Sequence, residues 1–426
     1  MNRAELEGLT KPELIELVLG MQRPDKTSRT SSKPPSTDRK GRREGSRPGG
    51  AKPGHKGHAR VLADAPDARE DHRPAQCRHC GLPFSGDVSG NVIGEYDEID
   101  LPAVKPIIRR HRRLACRCAG CGKTTRASAP AAAQGTPFGP RIHALALYLK
   151  THQLFSYERL QGAFADLFGL KLSQGALMNM FKRTAPVFAT GRDEALAALR
   201  GAQVVACDET GVRIEGCNAY QWVFCSPQAV VHTAAFSRAA QVVHDMMVGN
   251  RPEVWISDRY SAQQGHGLRH QTCLAHLDRK ARFVAEHGSD LIGMRLQFWF
   301  DRAFGLARDI ASLAPATVKQ RTSKLRRDLG AILASATDCP LARELLSQIR
   351  RARDQILTFS DFAGKVDATN NVSERALRPS VIQRKVTNGY RAKWAADAEA
   401  ALRTTVDTAR LKGKTPFHTI LGAVTA

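Results

Sequence analysis

The chain has 426 residues, with 42% hydrophobic and 25% charged residues, which is enough for more than one ordinary globular domain. Its 64 Lys and Arg against 41 Asp and Glu give a net charge of +23, which favours a polyanionic partner, and we expect DNA or RNA. No apolar run is long enough to cross a membrane, and the N-terminus lacks the apolar core of a signal peptide. We therefore expect a cytoplasmic, nucleoid-associated protein with no membrane partner, whose ten cysteines are thiols or metal ligands.

The N-terminal region divides into two segments. Residues 1–22 predict a short amphipathic helix, suited either to packing or to a coiled-coil contact. Residues 23–71 predict a disordered basic linker that is rich in Ser, Pro and Gly. We interpret its Gly-rich run either as a DNA contact or as a solvated tether. The candidate DNA-binding residues there are Lys52, His55, Lys56 and His58.

Residues 72–128 contain two Cys-x-x-Cys pairs about forty residues apart. Each pair is followed by a glycine, which lets the backbone turn so that its amides point at sulfur. Four thiolates at this spacing predict a structural Zn²⁺ site, with two unrelated thiol pairs as the alternative. The candidate zinc ligands are Cys77, Cys80, Cys118 and Cys121, with Cys116 as a spare.

Residues 137–200 predict a helical region with a helix-turn-helix-like outline. Its second helix, Gln174–Arg183, follows a turn and begins after Ser173, a favourable N-cap residue. Lys182 and Arg183 are then candidate DNA contacts. Any helical hairpin has the same outline, so DNA recognition is one of two interpretations here.

The pattern changes to strands at residue 201. The predicted elements are strands at Gln203–Asp208, Ala219–Cys225, Ala229–Phe236 and Glu253–Asp258, with a helix over Arg238–Val248. This order predicts an RNase H-like α/β core over 201–400. Within this range, residues at about 275–360 predict helices, and 401–426 predict a C-terminal helical tail.

Three acids are the candidate catalytic residues. Asp208 and Asp258 are predicted to leave two strands, and Glu374 lies on a late helix. Asn370, Asn371, Glu374 and Arg378 recur on one side of that helix, a poor packing face that suits metal and phosphate. Carboxylates in this arrangement hold two Mg²⁺ (or Mn²⁺) ions in nucleases and strand transferases. Glu209 is the alternative to Asp208.

Basic residues follow Glu374 closely, and they either grip phosphates or form a solvated basic face. The candidate DNA contacts on this helix are Asn371, Arg375, Arg378, Arg384 and Lys385. Upstream, Cys273 and His276 have metal-binding side chains, but a strand running into a helix is the plainer interpretation. Arg279 and Lys280 are further candidate DNA contacts in that segment.

The chain resembles the bacterial transposases of the insertion sequence 66 family along nearly its whole length. The resemblance rests on the linker segments Ser31–Ser36 and Gly49–His58, the two cysteine pairs, Asp208-Glu209-Thr210, Cys273-x-x-His276 through Lys280, and Asn370-Asn371-x-x-Glu374-Arg375-x-Leu377-Arg378-Pro379. It implies a DDE transposase with a helical insertion in its core. The triad would be Asp208, Asp258 and Glu374, and the substrates would be the element's terminal repeats and target DNA. Two paired ends imply at least a homodimer, with accessory proteins from the same element as possible partners.

The sequence departs from the family pattern at Arg259, where glycine is common, and at Ala368-Thr369, where an acid is common. Neither change removes a carboxylate. The alternative function is a catalytically inactive, transposase-derived DNA-binding repressor. A zinc-dependent RNA-binding protein is a more distant alternative, because the sequence has no aromatic ribonucleoprotein signature.

Overall fold

The computed structural model describes residues 10–12, 25–31, 50–51, 54–57, 60–84, 86, 90–128 and 136–426. The chain divides into a smaller unit, Lys40–Pro106, and a larger unit that combines Met1–Arg39 with Ile107–Ala426. Apart from positions 10–12, the helix predicted for 1–22 lies outside the described residues, and the predicted linker is described only in part.

The larger unit contains the regular structure of the described chain. Its described strands are β1 (Ala115–Arg117), β2 (Thr124–Arg126), β3 (Val204–Ile214), β4 (Cys217–Cys225), β5 (Val230–Ala235), β6 (Val254–Ser257) and β7 (Arg269–Thr272). Its described α-helices are α1 (Pro140–Leu147), α2 (Tyr157–Phe168), α3 (Gln174–Thr184), α4 (Ala189–Arg200), α5 (Ala240–Met247), α6 (Leu274–His287), α7 (Ile292–Asp309), α8 (Pro315–Leu333), α9 (Pro340–Ala352), α10 (Asn371–Thr387), α11 (Lys393–Leu411) and α12 (Pro416–Thr425). Among the described residues, no helix is long and apolar enough to cross a membrane.

Five strands form one mixed sheet in the order β5-β4-β3-β6-β7. The chain runs antiparallel from β3 through β4 to β5, and β6 and β7 then lie parallel to β3. The predicted hairpin, the helix after it and the strand before Asp258 are confirmed. The predicted end of the first strand at Asp208 is wrong. Pairing between β3 and β4 continues to the pair Ile214–Cys217, so Asp208 lies in the middle of the central strand.

The two faces of the sheet have separate cores because successive side chains along a strand point to opposite sides. Val205 and Cys207 of β3 pack on the side covered by α4 and α5. Ala206 packs on the other side, with α6 to α9. Asp208 follows Ala206 in this alternation, and Glu209 follows Cys207. The helices between β7 and α10 therefore share one hydrophobic core with the face of the sheet to which Asp208 points.

The helical hairpin predicted before the sheet is present. The Ser173 hydroxyl accepts a hydrogen bond from the backbone N–H of Ala176 at 3.1 Å, which confirms the predicted N-cap of α3. Gly169 ends α2 in the left-handed conformation, with φ of 64°. Leu160, Phe164 and Leu177 are fully buried between the two helices and α1.

The C-terminal helices pack onto the rest of the larger unit. Helix α11 continues across position 400, where the predicted tail begins. The hydroxyl of Thr404 accepts a hydrogen bond from the N–H of His232 in β5 at 2.9 Å, and Thr408 accepts from Val230 at 3.1 Å. Ile420 of α12 is fully buried in a cluster with Leu147. The predicted boundary at 400 therefore falls inside a helix that is bonded to the sheet.

Candidate metal centre

Three elements bring the predicted acids to one side of the sheet. Asp208 lies on β3, Asp258 directly follows the adjacent parallel strand β6, and Glu374 lies in the first turn of α10. A hydrogen bond of 2.9 Å from the side-chain amide of Asn370 to the Cys207 carbonyl holds the start of α10 against β3. The acid on the helix is thereby positioned beside the central strand.

Backbone amides orient the two aspartates. Asp208 Oδ1 accepts a hydrogen bond from the N–H of Glu209 at 2.9 Å. Asp258 Oδ1 accepts one from the N–H of Tyr260 at 2.8 Å. Since each bond engages one carboxylate oxygen, the second oxygen of each aspartate remains as a donor atom for a cation.

Burial and neighbouring negative charges both affect the ionisation of Asp208. Burial raises the pKa of Asp208 to about 8, and the negative charges of Glu209, Asp258 and Glu374 also raise it, against the hydrogen bond from the Glu209 amide. A buried carboxyl group beside other carboxylates is costly to ionise unless a cation is present. The pKa of Asp208 therefore favours a cation-binding role.

Glu209 is the weaker candidate because its charge is already compensated. Its Oε1 accepts hydrogen bonds from Arg238 at 2.6 and 2.8 Å, and its Oε2 accepts one from Gln263 at 2.6 Å. The carboxylate is only 3% exposed, on the sheet face opposite to that of Asp208. Because side chains alternate along β3, Glu209 bonds to Arg238 and Gln263 on one face of the sheet, and Asp208 faces α10 on the other.

A second group of ligand atoms lies beside Glu374. Within the described ranges, one trio of His, Cys, Asp or Glu side chains has ligand atoms that all lie within 4.8 Å of one another, and it consists of Cys273, His276 and Glu374. Asp208 and Asp258 do not join Glu374 in a trio that tight. The predicted strand-to-helix transition at Cys273 is also confirmed, because β7 ends at Thr272 and α6 begins at Leu274.

Two atoms of this trio are buried without a hydrogen-bond partner. His276 Nδ1 and Glu374 Oε1 lie 3.8 Å apart, and neither is paired by hydrogen bonding. An unpaired buried polar atom costs about 1–3 kcal/mol. The donor set around Glu374 therefore fits a divalent cation, which would satisfy both atoms.

Asn370 has a role that the helical pattern did not predict. It is 1% exposed and precedes the first residue of α10, so it does not share the outer face with Asn371 and Arg378, which are exposed. Its N–H donates to Cys273 Sγ at 3.2 Å, and its Oδ1 accepts from the Ser373 hydroxyl at 2.5 Å. A polar residue just before a helix was the only sequence signal for this role.

The predicted DNA contacts fall into four groups. Exposed residues are Asn371, Arg375, Arg378 and Lys385 on α10, Lys182 and Arg183 on α3, and His55 and Lys56 in the smaller unit. Two others donate hydrogen bonds within the protein. Arg384 donates to Thr210 at 3.1 Å and to the Gly211 carbonyl, and Lys280 donates to Gln348 at 2.7 Å. Arg279 is partly buried, and its Nε is buried without a hydrogen-bond partner. Lys52 and His58 lie outside the described residues.

Each Cys-x-x-Cys pair forms the same local turn. In the smaller unit, the N–H of Gly81 donates to the Cys77 carbonyl at 2.9 Å, and Gly81 has a φ of 75°. In the larger unit, the N–H of Gly122 donates to the Cys118 carbonyl at 2.9 Å, with a φ of 71°. Hydrogen bonds from the amides in each turn lower the pKa of Cys77 and Cys118. The predicted role of both glycines is confirmed.

The family model described as Transposase IS66 family matches residues 135–398, more than half of the chain. The chain therefore belongs to the IS66 family of transposases, and the resemblance seen in the sequence is confirmed. The family is one of DDE transposases, a class of DNA-processing enzymes that generally use divalent metal ions. The match contains Asp208, Asp258 and Glu374 and leaves out both cysteine pairs. No curated protein matches the chain.

Proposed function

We propose that the chain binds the terminal inverted repeats of its own insertion sequence and catalyses metal-dependent DNA cleavage and strand transfer. The observation that carries this proposal is the placement of Asp208, Asp258 and Glu374. Asp208 lies on the central strand β3, Asp258 follows its parallel neighbour β6, and Glu374 lies on α10, which is hydrogen-bonded to β3. The negative charges of Asp258 and Glu374 help to raise the pKa of Asp208. These are the carboxylates of the DDE triad in this proposal.

The sheet supports an RNase H-like core. Counted along the chain from β3, the five strands lie side by side in the order third, second, first, fourth and fifth. Only the second of them, β4, runs antiparallel to the rest. Two parallel neighbours of this kind place residues near their carboxyl ends side by side, which suits metal-binding acids. In this interpretation, α6 to α9 are the helical insertion between the second and third acids.

Asp208, Asp258 and Glu374 would hold Mg²⁺ or Mn²⁺. Two such ions, when bound, stabilise the negative charge that develops on the phosphate and on the attacking and leaving oxygens. The protein's own contribution is position. The amides of Glu209 and Tyr260 fix the aspartates, the Glu209–Arg238 pair keeps the neighbouring acid out of the site, and Asn370 fixes the start of α10.

The exposed basic residues of α10 support binding of the cleaved strand. Arg375 and Arg378 recur with the neutral Asn371 at helical spacing on an exposed face, one turn or less from Glu374. Cations there would neutralise phosphates and set the register of DNA against the acids. Lys182 and Arg183, at the exposed end of α3, would contact the terminal repeat. Pairing of two element ends requires at least a dimer.

Transposition of the complete element in cells tests the proposal, because any accessory proteins are then supplied. We expect Asp208→Asn, Asp258→Asn and Glu374→Gln each to lower the transposition frequency by at least about 10³-fold, since each removes a metal ligand. DNA binding, measured by mobility shift with the purified variants, should persist. Asp193→Asn, which removes an exposed carboxylate on α4, is the matched control and should transpose normally.

The same panel separates the repressor alternative. A binding-only protein would bind the repeats equally well as wild type or variant, and the intact element would not move with either. Wild-type frequency for any one of the three variants would remove that residue from the site. Loss of DNA binding together with transposition would mean that the substitution had damaged the fold.

A further inference from the structure

We propose that Cys273, His276 and Glu374 form a binding site for a divalent metal ion that accepts thiolate ligands, such as Zn²⁺. The site adjoins the aspartate pair and shares only Glu374 with it. Its ligand chemistry differs, because a thiolate and an imidazole join one carboxylate. Binding of this ion does not require the chain to cleave DNA, so this proposal and the proposed function can fail separately.

The distances suit one ion. The three ligand atoms lie within 4.8 Å of one another, and His276 Nδ1 is 3.8 Å from Glu374 Oε1. Zn–N and Zn–O bonds of about 2.1 Å and a Zn–S bond of about 2.3 Å put the ligands of a tetrahedral site about 3.4–3.7 Å apart. The three side chains therefore need to approach by about 1 Å, which side-chain rotation can supply. The fourth position would remain open.

The surroundings of the sulfur support a metal ligand. Cys273 is fully buried at the start of α6, and its Sγ accepts a hydrogen bond from the N–H of Asn370 at 3.2 Å. Cys273 directly precedes α6 and His276 lies in the first turn of that helix, and their ligand atoms lie within 4.8 Å of each other. The carboxylate comes from α10, about a hundred residues later in the chain.

The two unpaired atoms are the independent observation. A histidine and a glutamate whose polar atoms are buried would ordinarily form hydrogen bonds with the backbone or with each other. His276 Nδ1 and Glu374 Oε1 are instead buried 3.8 Å apart without a hydrogen-bond partner. An ion held between them would bond both atoms and the sulfur. Sulfur and imidazole ligands select Zn²⁺ or Co²⁺, whereas Mg²⁺ prefers oxygen alone, so the site would discriminate between the two classes of ion.

Cobalt substitution in the full-length protein tests the site. The purified chain is stripped of metal, titrated with Co²⁺ and compared with Cys273→Ser and His276→Gln. We expect the wild-type-minus-Cys273→Ser difference spectrum to show a thiolate-to-cobalt charge-transfer band in the near ultraviolet and visible bands of four-coordinate cobalt. Cobalt bound by other cysteines cancels in this difference. His276→Gln should lose the same visible bands, and elemental analysis should show one Zn²⁺ equivalent fewer in each variant.

Cys339→Ser is the matched control. Cys339 is also a buried cysteine just before a helix, α9, but it belongs to no trio of ligand atoms among the described residues. Its spectrum and zinc content should equal those of wild type. Superimposable spectra and equal zinc content for wild type and His276→Gln would overturn the proposal. Because His276 is partly exposed, this variant keeps the test decisive if Cys273→Ser does not fold.

Discussion

Replacing Asp208 by Asn should remove a large pH dependence from the stability of the metal-free protein. The pKa of Asp208 is raised from 3.8 to about 8, first by burial and then by the neighbouring acids. Because the folded-state pKa lies above that of the free carboxyl group, the protonated form stabilises the fold. That contribution is complete below pH 4, falls progressively as the pH rises from about 4 to about 8, and is gone above about pH 8.

The magnitude follows from the two pKa values. While the folded carboxyl group stays protonated and the unfolded one is ionised, each pH unit changes the free energy of unfolding by about 1.4 kcal/mol. From pH 5 to pH 8 this gives about 3–4 kcal/mol from Asp208 alone. For a domain of this size the corresponding loss in Tm is about 5–10 °C. Asn has the same shape and no charge, so Asp208→Asn should lack this slope.

Thermal unfolding in EDTA, followed by circular dichroism between pH 5 and pH 8, measures the effect. Asp193→Asn, which changes an exposed carboxylate, should keep the wild-type slope. Adding Mg²⁺ at pH 8 should raise the Tm of wild type and leave that of Asp208→Asn unchanged, because bound metal stabilises the ionised carboxylate. Parallel pH profiles for wild type and Asp208→Asn would refute the burial and charge coupling on which the proposed site depends.

Three further predictions concern the rest of the molecule. Replacing Cys77 or Cys118 by Ser should lower the zinc content measured by elemental analysis, because backbone amides in each turn point at the sulfur. Cys217 is an exposed cysteine outside the turns, so Cys217→Ser is the control and should keep the wild-type zinc content. Glu399→Gln should lower the free energy of unfolding in urea by about 3 kcal/mol, since it leaves the Arg403 charge buried and uncompensated. Asp397→Asn, which breaks an exposed ion pair with Lys393, is the control and should lower it by about 0.5 kcal/mol or less. Gly389→Ala should lower the free energy of unfolding in urea by about 3 kcal/mol, because φ is +109° and a Cβ would lie 2.2 Å from the Arg213 carbonyl oxygen. Gly216→Ala is the control and should lower it by only about 1 kcal/mol, because φ is +77° there but the space around the Cβ is open.

Much of the fold could be predicted from local patterns. Apolar runs placed the hairpin and β6, the Ser173 cap placed α3, and glycines after each cysteine pair placed the two turns. The run around Glu374 was long enough to indicate the family. These features depend on neighbours within a few residues, where backbone geometry and side-chain chemistry act directly.

The strand that carries Asp208 shows where local reasoning stopped. Its polar residues after position 208 looked like a strand end, but pairing with β4 extends the strand to Ile214. The choice between Asp208 and Glu209 likewise depended on which helices cover each face of the sheet. Arg238 and Gln263, both distant in sequence, bond Glu209 and leave Asp208 facing α10.

The sequence by itself determined the residue types, the local elements and the family. Tertiary structure alone decided that Cys273 and His276 lie beside Glu374, since the packing of α10 on β3 brings together side chains nearly a hundred residues apart. No periodicity encodes that distance. It results from burial of the helix against the sheet and from the hydrogen bonds of Asn370, which form only when the whole core is assembled.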